Sequence, residues 1–278
     1  MAINSIAIKQ IVGAWAFDSA ENVKWMCSQV ENLQITQDGE TTEKRDANGS
    51  VIFTIDRNKS CQISFDSSVL DLSLVAALNG TEKFEADSSH AMRVPYIDRF
   101  VLKAADVSAG YVTLTKIPEA EVGGAYKISF HTLTEDNSLE DNYEQVSAKA
   151  TSNKFYYDST NHRVYFPTDS TIFKAGTKIE IIYEYSVTDG VKVVNAADKF
   201  PDAAKVRFLV LAVSLCDQSR VKALWITAKN SKPQTGNTIG FNLDDTISVT
   251  LDLAYSYCDQ SKDFYEITVA DETFVPSW

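Results

Sequence analysis

The chain has 278 residues, 44% of them hydrophobic and 23% charged, which bounds it as one large globular domain or two smaller ones and excludes bulk disorder. Its net charge of −12 is spread as −5, −4 and −3 over residues 1–93, 94–188 and 189–278. That balance argues against a nucleic-acid grip, which runs on Lys and Arg neutralising phosphates. No apolar run approaches the roughly 18–20 residues needed to cross a bilayer, so no membrane partner is expected. The opening MAINSIAIKQIVGAW lacks a basic stretch followed by a long apolar core, so synthesis and folding in a cytoplasm are expected.

In chain order, an N-terminal segment leads into QDGETTEKRDANGS (37–50), which carries no apolar periodicity and reads as a long polar loop. Two alternating strands follow, one through Val51, Phe53 and Ile55 and the other through Cys61, Ile63 and Phe65, with a turn at Arg57, Asn58 and Lys59. The next stretch predicts a helix over 67–79. Asp66 or Ser67 supplies its N-cap and Gly80 its left-handed stop. Leu70, Leu74 and Leu78 recur at i, i+4 and i+8, with Val69, Leu72 and Val75 beside them, and form the packing face. No other segment reads as a helix.

After DSSHAMRVP, a hinge-like stretch, the pattern is strand upon strand: YVTLTKI (111–117), YKISFHTL (126–133), KFYYD (154–158), RVYF (163–166) and KIEIIYEYSV (178–187). Turns are signalled at Gly123-Gly124, Ser159–His162 and Ala175-Gly176. About seven short strands over residues 95–188 match the size and rhythm of an immunoglobulin-like sandwich, without the Cys…Trp…Cys signature. KVRFLVLAV (205–213), VKALWITA (221–228), two strands within 238–257 and FYEITVA (264–270) then resume, with KPQTGN (232–237) as a polar turn. The last part is too small to stand alone. Residues 1–94 and 189–278 are therefore expected to build one split domain, with 95–188 inserted into it.

Residues that carry chemistry are sparse. His90, His131 and His162 are far apart and form no metal-ligand spacing. Cys27, Cys61, Cys216 and Cys258 occur singly, the last two each opening a CDQS tetrapeptide, and all are expected as free thiols. No nucleophile elbow, phosphate loop or dinucleotide fingerprint is present. Asp244-Asp245 would point to opposite faces of a strand. Glu135, Asp136, Glu140, Asp141 and Glu144 lack a calcium-loop spacing. The aromatics Tyr156, Tyr157, Tyr165, Phe166, Tyr183 and Tyr185 could make a sugar-stacking platform, although alternation assigns half of them to the core. No catalytic residue, cofactor or metal is expected, and no enzymatic activity.

The order of parts resembles the major tail tube protein of long-tailed bacteriophages, especially phages of Gram-positive bacteria. The resemblance runs through NGSVIFTIDRNKSCQISFDSSVLDLSLVAALNGTEKFE, the opening of the insert YIDRFVLKAADVSAGYVTLTKIP, and the return GVKVVNAADKFPDAAKVRFLVLAVSLCD, and covers most of residues 45–275. It implies a mainly β fold: a tail-tube β-sandwich or barrel with one flanking α-helix, interrupted by an Ig-like β-sandwich. It further implies self-association into hexameric rings that stack into the tube of a virion, assembled in the host bacterial cytoplasm. Partners would be the terminator, tape measure and baseplate-side tail proteins, with DNA passing through the lumen during ejection without specific binding. An acidic subunit suits such a passage, since a basic lumen would hold the duplex. Other readings stay open: a carbohydrate-binding or adhesin-like β module, a polysaccharide hydrolase with a close carboxylate pair, and the inner tube of a contractile tail or phage-like bacteriocin.

Overall fold

The computed structural model describes residues 6–121, 123–215, 217–236, 238–240, 246–255, 262–270 and 274. In chain order, β1 (Ile6–Phe17), β2 (Val23–Cys27), β3 (Val30–Arg45) and β4 (Val51–Ser67) precede helix α1 (Leu72–Leu78). Then come β5 (Phe84–Ala86), β6 (Met92–Val101), helix α2 (Ala104–Ala109), β7 (Tyr111–Thr113), β8 (Ile128–Leu133) and β9 (Leu139–Val146). They are followed by β10 (Lys154–Asp158), β11 (Arg163–Tyr165), β12 (Lys178–Val187), β13 (Gly190–Lys192) and β14 (Ala204–Ser214). The series closes with β15 (Asp217–Pro233), β16 (Thr238–Ile239), β17 (Ile247–Leu253) and β18 (Glu266–Val269). The fold is mainly β, with 57% of residues in strands and 5% in helices.

The chain divides into two compact units, one made of its two ends up to Phe84 and from Lys192, the other of Glu85–Val191. β5 and β13, which carry the two crossings, pair with each other. The predicted borders at residues 95 and 188 thus fall inside the second unit. Pro95 lies within β6, paired opposite Glu184. It is tolerated there because β6 ends the strand order, so a missing backbone N–H breaks no second ladder.

In the first unit the strands run β2-β1-β14-β15-β17-β4-β3, with β16 on β17 and β18 on β15. Trp25 and Cys27 of β2 and Cys61, Ile63 and Phe65 of β4 stand near opposite ends of that order yet enter one core. The sheet is therefore curled around it. Alternation on β14 sends Val206, Phe208 and Val210 to this core, and β17 adds Ile247, Val249, Leu251 and Leu253. Phe65 anchors the centre, edge-on to Phe208 and stacked on Trp25.

Three sequence expectations fail here for one reason. The polar 37–50 stretch is no loop: β3 runs through Arg45 and pairs along β4, and the reversal is the short Asp46–Ser50 turn. Asp46 Oδ1 accepts from the Asn48 and Ser50 amides, and Gly49 supplies the positive φ. The expected turn at Arg57–Lys59 lies inside the 17-residue β4, where Asn58 takes φ +52° opposite a register shift between Asp38 and Glu40. That is a bulge, which bends a strand without ending it. Because β4 continues to Ser67, where it still pairs with Val30 and Ile247, the helix starts later than expected.

The N-cap of α1 is Asp71, not Asp66 or Ser67. Its Oδ1 accepts from the Ser73 and Leu74 amides at 2.7 and 3.2 Å. The helix ends at Gly80, whose N–H reaches the Ala77 carbonyl while the Thr81 N–H reaches Ala76, the paired bonds of a Schellman turn. Gly80 has φ +67°, and a Cβ there would collide with the Phe200 backbone.

The second unit holds one strand order, β6-β12-β8-β9-β10-β11-β7, in which β9 and β10 pair parallel. The parallel step departs from the separate antiparallel sheets of the Ig-like sandwich expected for this region. Its core is its own, built from Phe130, Phe155, Val164, Phe166, Phe173, Ile179, Ile181 and Tyr183 among others. β6 and β9 lie where a hinge and a charged run were expected. α2 is a second helix the sequence did not signal, closed at its start by Asp106 accepting from the Lys103 amide and at its end by Gly110 at φ +77°.

Candidate functional site

The residues singled out as a packing face separate in the structure. Leu74 is fully buried and Leu78 nearly so, together with Val75 and Ala76. Leu70 precedes the helix and is 47% exposed. The delayed start of α1 removes it from the repeat, so the buried face is Leu74, Val75 and Leu78.

The most unusual surface of the first unit is the distal part of the β3–β4 hairpin. From Thr36 to Ser60 every residue is exposed except the half-buried Ile55. Both faces of this two-stranded arm meet water, a state in which a hairpin is marginal on its own. Val51 and Phe53 are 46% and 48% exposed and share a face with Ile55, while Ile52 on the other face is 63% exposed. β3 also ends the strand order, so among the described residues its outer backbone groups face no neighbouring strand. Charge on residues 37–60 is nearly balanced, with five acids against four bases. The sequence displays the alternation of Val51, Phe53 and Ile55, but carries no sign that both faces of the arm meet water.

The second unit holds a buried polar cluster that the sequence did not signal. Asp98, on β6, accepts from the Thr115 amide (2.9 Å), the Thr115 hydroxyl (2.6 Å) and the Tyr183 hydroxyl (2.7 Å). Tyr183 in turn accepts from the Lys116 amide at 2.9 Å. Asn142, His131, Glu180 and Arg99 form a row across β9, β8, β12 and β6. His131 Nδ1 lies 2.9 Å from Asn142 Oδ1, its Nε2 3.5 Å from Glu180, and Arg99 donates to Glu180 at 2.5 Å. Neighbours on strands make this a cross-strand ladder that satisfies buried groups. His90 is exposed beside Asp87, and His162 sits in a turn at φ +54° with its ring 3.4 Å from the Tyr157 hydroxyl.

The acidic run is dispersed. Asp136 accepts hydrogen bonds from Thr134 and Ser138 in its own turn, and Glu144 pairs with Lys154 at 2.6 Å. Among the described residues no group of three or more His, Cys, Asp or Glu could hold a metal, and no helix is long and apolar enough to cross a membrane. Cys27 and Cys61 are buried free thiols, and burial pushes the Cys61 thiol up. Cys216, Cys258, Asp244 and Asp245 lie outside the described residues.

The aromatics divide by face. Tyr157, Phe166 and Tyr183 are buried, whereas Tyr156, Tyr165 and Tyr185 are half-exposed. Burial pushes the Tyr157 phenol up to about 12, and burial with the Asp98 hydrogen bond raises Tyr183 further. A raised phenol stabilises the fold fully below its unfolded value of about 10, and that contribution is lost as pH rises through the folded value. Unit two is therefore expected to lose stability progressively from pH ~10 to ~12, with tyrosinate absorbance and loss of β circular dichroism rising together. Full ionisation near pH 10 with the fold intact would contradict this.

No protein-family model matches the chain, and no curated protein matches it.

Proposed function

We propose that this chain is a structural subunit of a bacteriophage tail tube, assembling edge to edge into rings, six copies in each by the resemblance, that stack around a DNA passage. The carrying observation is the β3–β4 arm, an exposed two-stranded ribbon with Val51, Ile52 and Phe53 at its tip and an uncovered outer edge. Such a surface is a hazard in a protein that stays alone, and closing a ring of copies covers it. A curled sheet with one flanking helix, interrupted by a second β unit, agrees with the tail-tube resemblance. So does the net charge of −12, which suits a lumen that DNA crosses without being held. Terminator, tape measure and baseplate-side proteins would be its partners in the virion.

Negative-stain microscopy of the concentrated full chain tests the reading. Rings or tubes are expected, and a monomer at every concentration would overturn it. Val51→Ser, Ile52→Ser and Phe53→Ser combined should keep the monomer folded but weaken assembly, by about tenfold or more for each side chain that becomes buried. Analytical ultracentrifugation reads this directly. Unchanged assembly would remove the arm from the interface.

A further inference from the structure

The second unit carries, on the outward face of β7, β10 and β11, a two-row array that the tail-tube reading does not use. Cross-strand register places Tyr156 opposite Tyr165 and Tyr165 opposite Tyr111, forming one aromatic row. The next row on the same face is Asp158, Arg163 and Thr113, since residues two apart along a strand share a face. The rings of Tyr156 and Tyr165 lie 5.9 Å apart at 29°, and those of Tyr111 and Tyr165 lie 5.3 Å apart at 55°. The Arg163 guanidinium sits 4.3 Å from the Tyr111 ring centroid, a cation–π contact that holds this end of the row in place. Beside the array opens a cavity of about 590 Å³, within the ordinary range for small-ligand sites. Tyr156, Tyr165 and Phe166 line it together with Lys149, Asp158 and Asp169.

We infer that this array is a binding site for a neutral pyranose oligosaccharide. A pyranose presents an apolar C–H face and a rim of hydroxyls. A row of half-exposed aromatic rings matches the first, and a parallel row of carboxyl, guanidinium and hydroxyl groups matches the second. Charge selects the class further. Two cationic side chains, Lys149 and Arg163, stand against two carboxyl groups, Asp158 and Asp169, so neither an anionic nor a cationic ligand meets a surplus of opposite charge. Hydrogen bonds from Asn161 and Thr160 hold the Asp158 carboxyl below its ordinary range, and those from Thr171 do the same for Asp169, which keeps both as acceptors near neutral pH. The row joins the β10–β11 hairpin to β7, which lies about forty residues earlier in the chain, and Tyr157, adjacent in sequence to Tyr156, faces the core instead. The inference stands apart from the tail-tube reading, since it concerns unit two alone.

The test uses the full chain with ring-labelled tyrosine, followed by nuclear magnetic resonance while chitohexaose, cellohexaose, maltohexaose and decaproline are titrated separately. At least one of the three sugars should shift the Tyr111, Tyr156 and Tyr165 resonances saturably and leave Tyr185 unmoved. Tyr165→Phe should keep the affinity and Tyr165→Ala should weaken it at least about tenfold. Asp158→Asn, which leaves the rings untouched, should weaken it less and guards against a folding defect in the alanine variant. Silence from all three sugars, binding of decaproline in their place, or equal affinity in Tyr165→Ala and Asp158→Asn and the parent would each overturn the proposal.

Discussion

Leu74→Asp is expected to unfold the first unit while the second still melts as a cooperative β structure. Leu74 has no exposed surface and sits at the centre of the α1 face against the core that Phe65, Trp25 and Leu251 share. The substitution removes a buried leucine, worth about 2–5 kcal/mol, and leaves a carboxyl group with no partner, which adds several kcal/mol more. Together these approach the whole stability of an ordinary domain, about 5–15 kcal/mol. Calorimetry should lose one transition and keep another. A soluble Leu74→Asp protein with both transitions, or one that still forms rings, would mean that the helix is not seated on the core. Leu70→Asp is the control, because Leu70 is half-exposed ahead of the helix and should be tolerated.

Asp98→Ala should do the reverse and strike the second unit. The change leaves the Tyr183 O–H and the Thr115 N–H without their acceptor, the first of them on a side chain only 2% exposed, while the Tyr183 oxygen keeps its bond from the Lys116 amide. The buried Tyr183 donor left unsatisfied costs about 1–3 kcal/mol, and with the two lost bonds from the exposed Thr115, which water can replace in part, the total is expected near ~2–4 kcal/mol. Asp98→Asn keeps one acceptor oxygen and should cost roughly half of that. The first unit's transition should not move, because its core shares no residue with that of the second. A stability change that appeared equally in both transitions would show one cooperative unit where two cores are described.

How much of this was readable from the chain depends on where each residue gets its signal. KVRFLVLAV and KIEIIYEYSV announce themselves because strands buried on a face must carry apolar residues at period two, and both appear as β14 and β12 almost to the residue. The 37–45 stretch gave no such signal. It is a strand only because β4 pairs with it, and a ribbon exposed on both faces leaves no periodicity to read. β6 was hidden behind Pro95, which reads as a breaker until the strand is known to be an edge.

The same division governs the surfaces that matter. Alternation alone says that half of Tyr156, Tyr157, Tyr165 and Phe166 face outward. Which half is settled by the register of the β10–β11 hairpin, and the alignment of Tyr111 with them by the pairing of β11 with the distant β7. Likewise Leu74 and Leu78 were visible as a helical repeat, while the exclusion of Leu70 depended on β4 running on to Ser67. By itself, then, the sequence determined the β character, the apolar centres of its buried strands, the acidic balance and the place of the flanking helix, all set by local periodicity and composition. Tertiary structure alone decided the long arm, the borders of the split at Phe84 and Val191, the strand partners and the two-row tyrosine face. Those rest on backbone pairing, in local hairpins as well as between distant segments, and hydrogen bonds between main chains carry no side-chain signature.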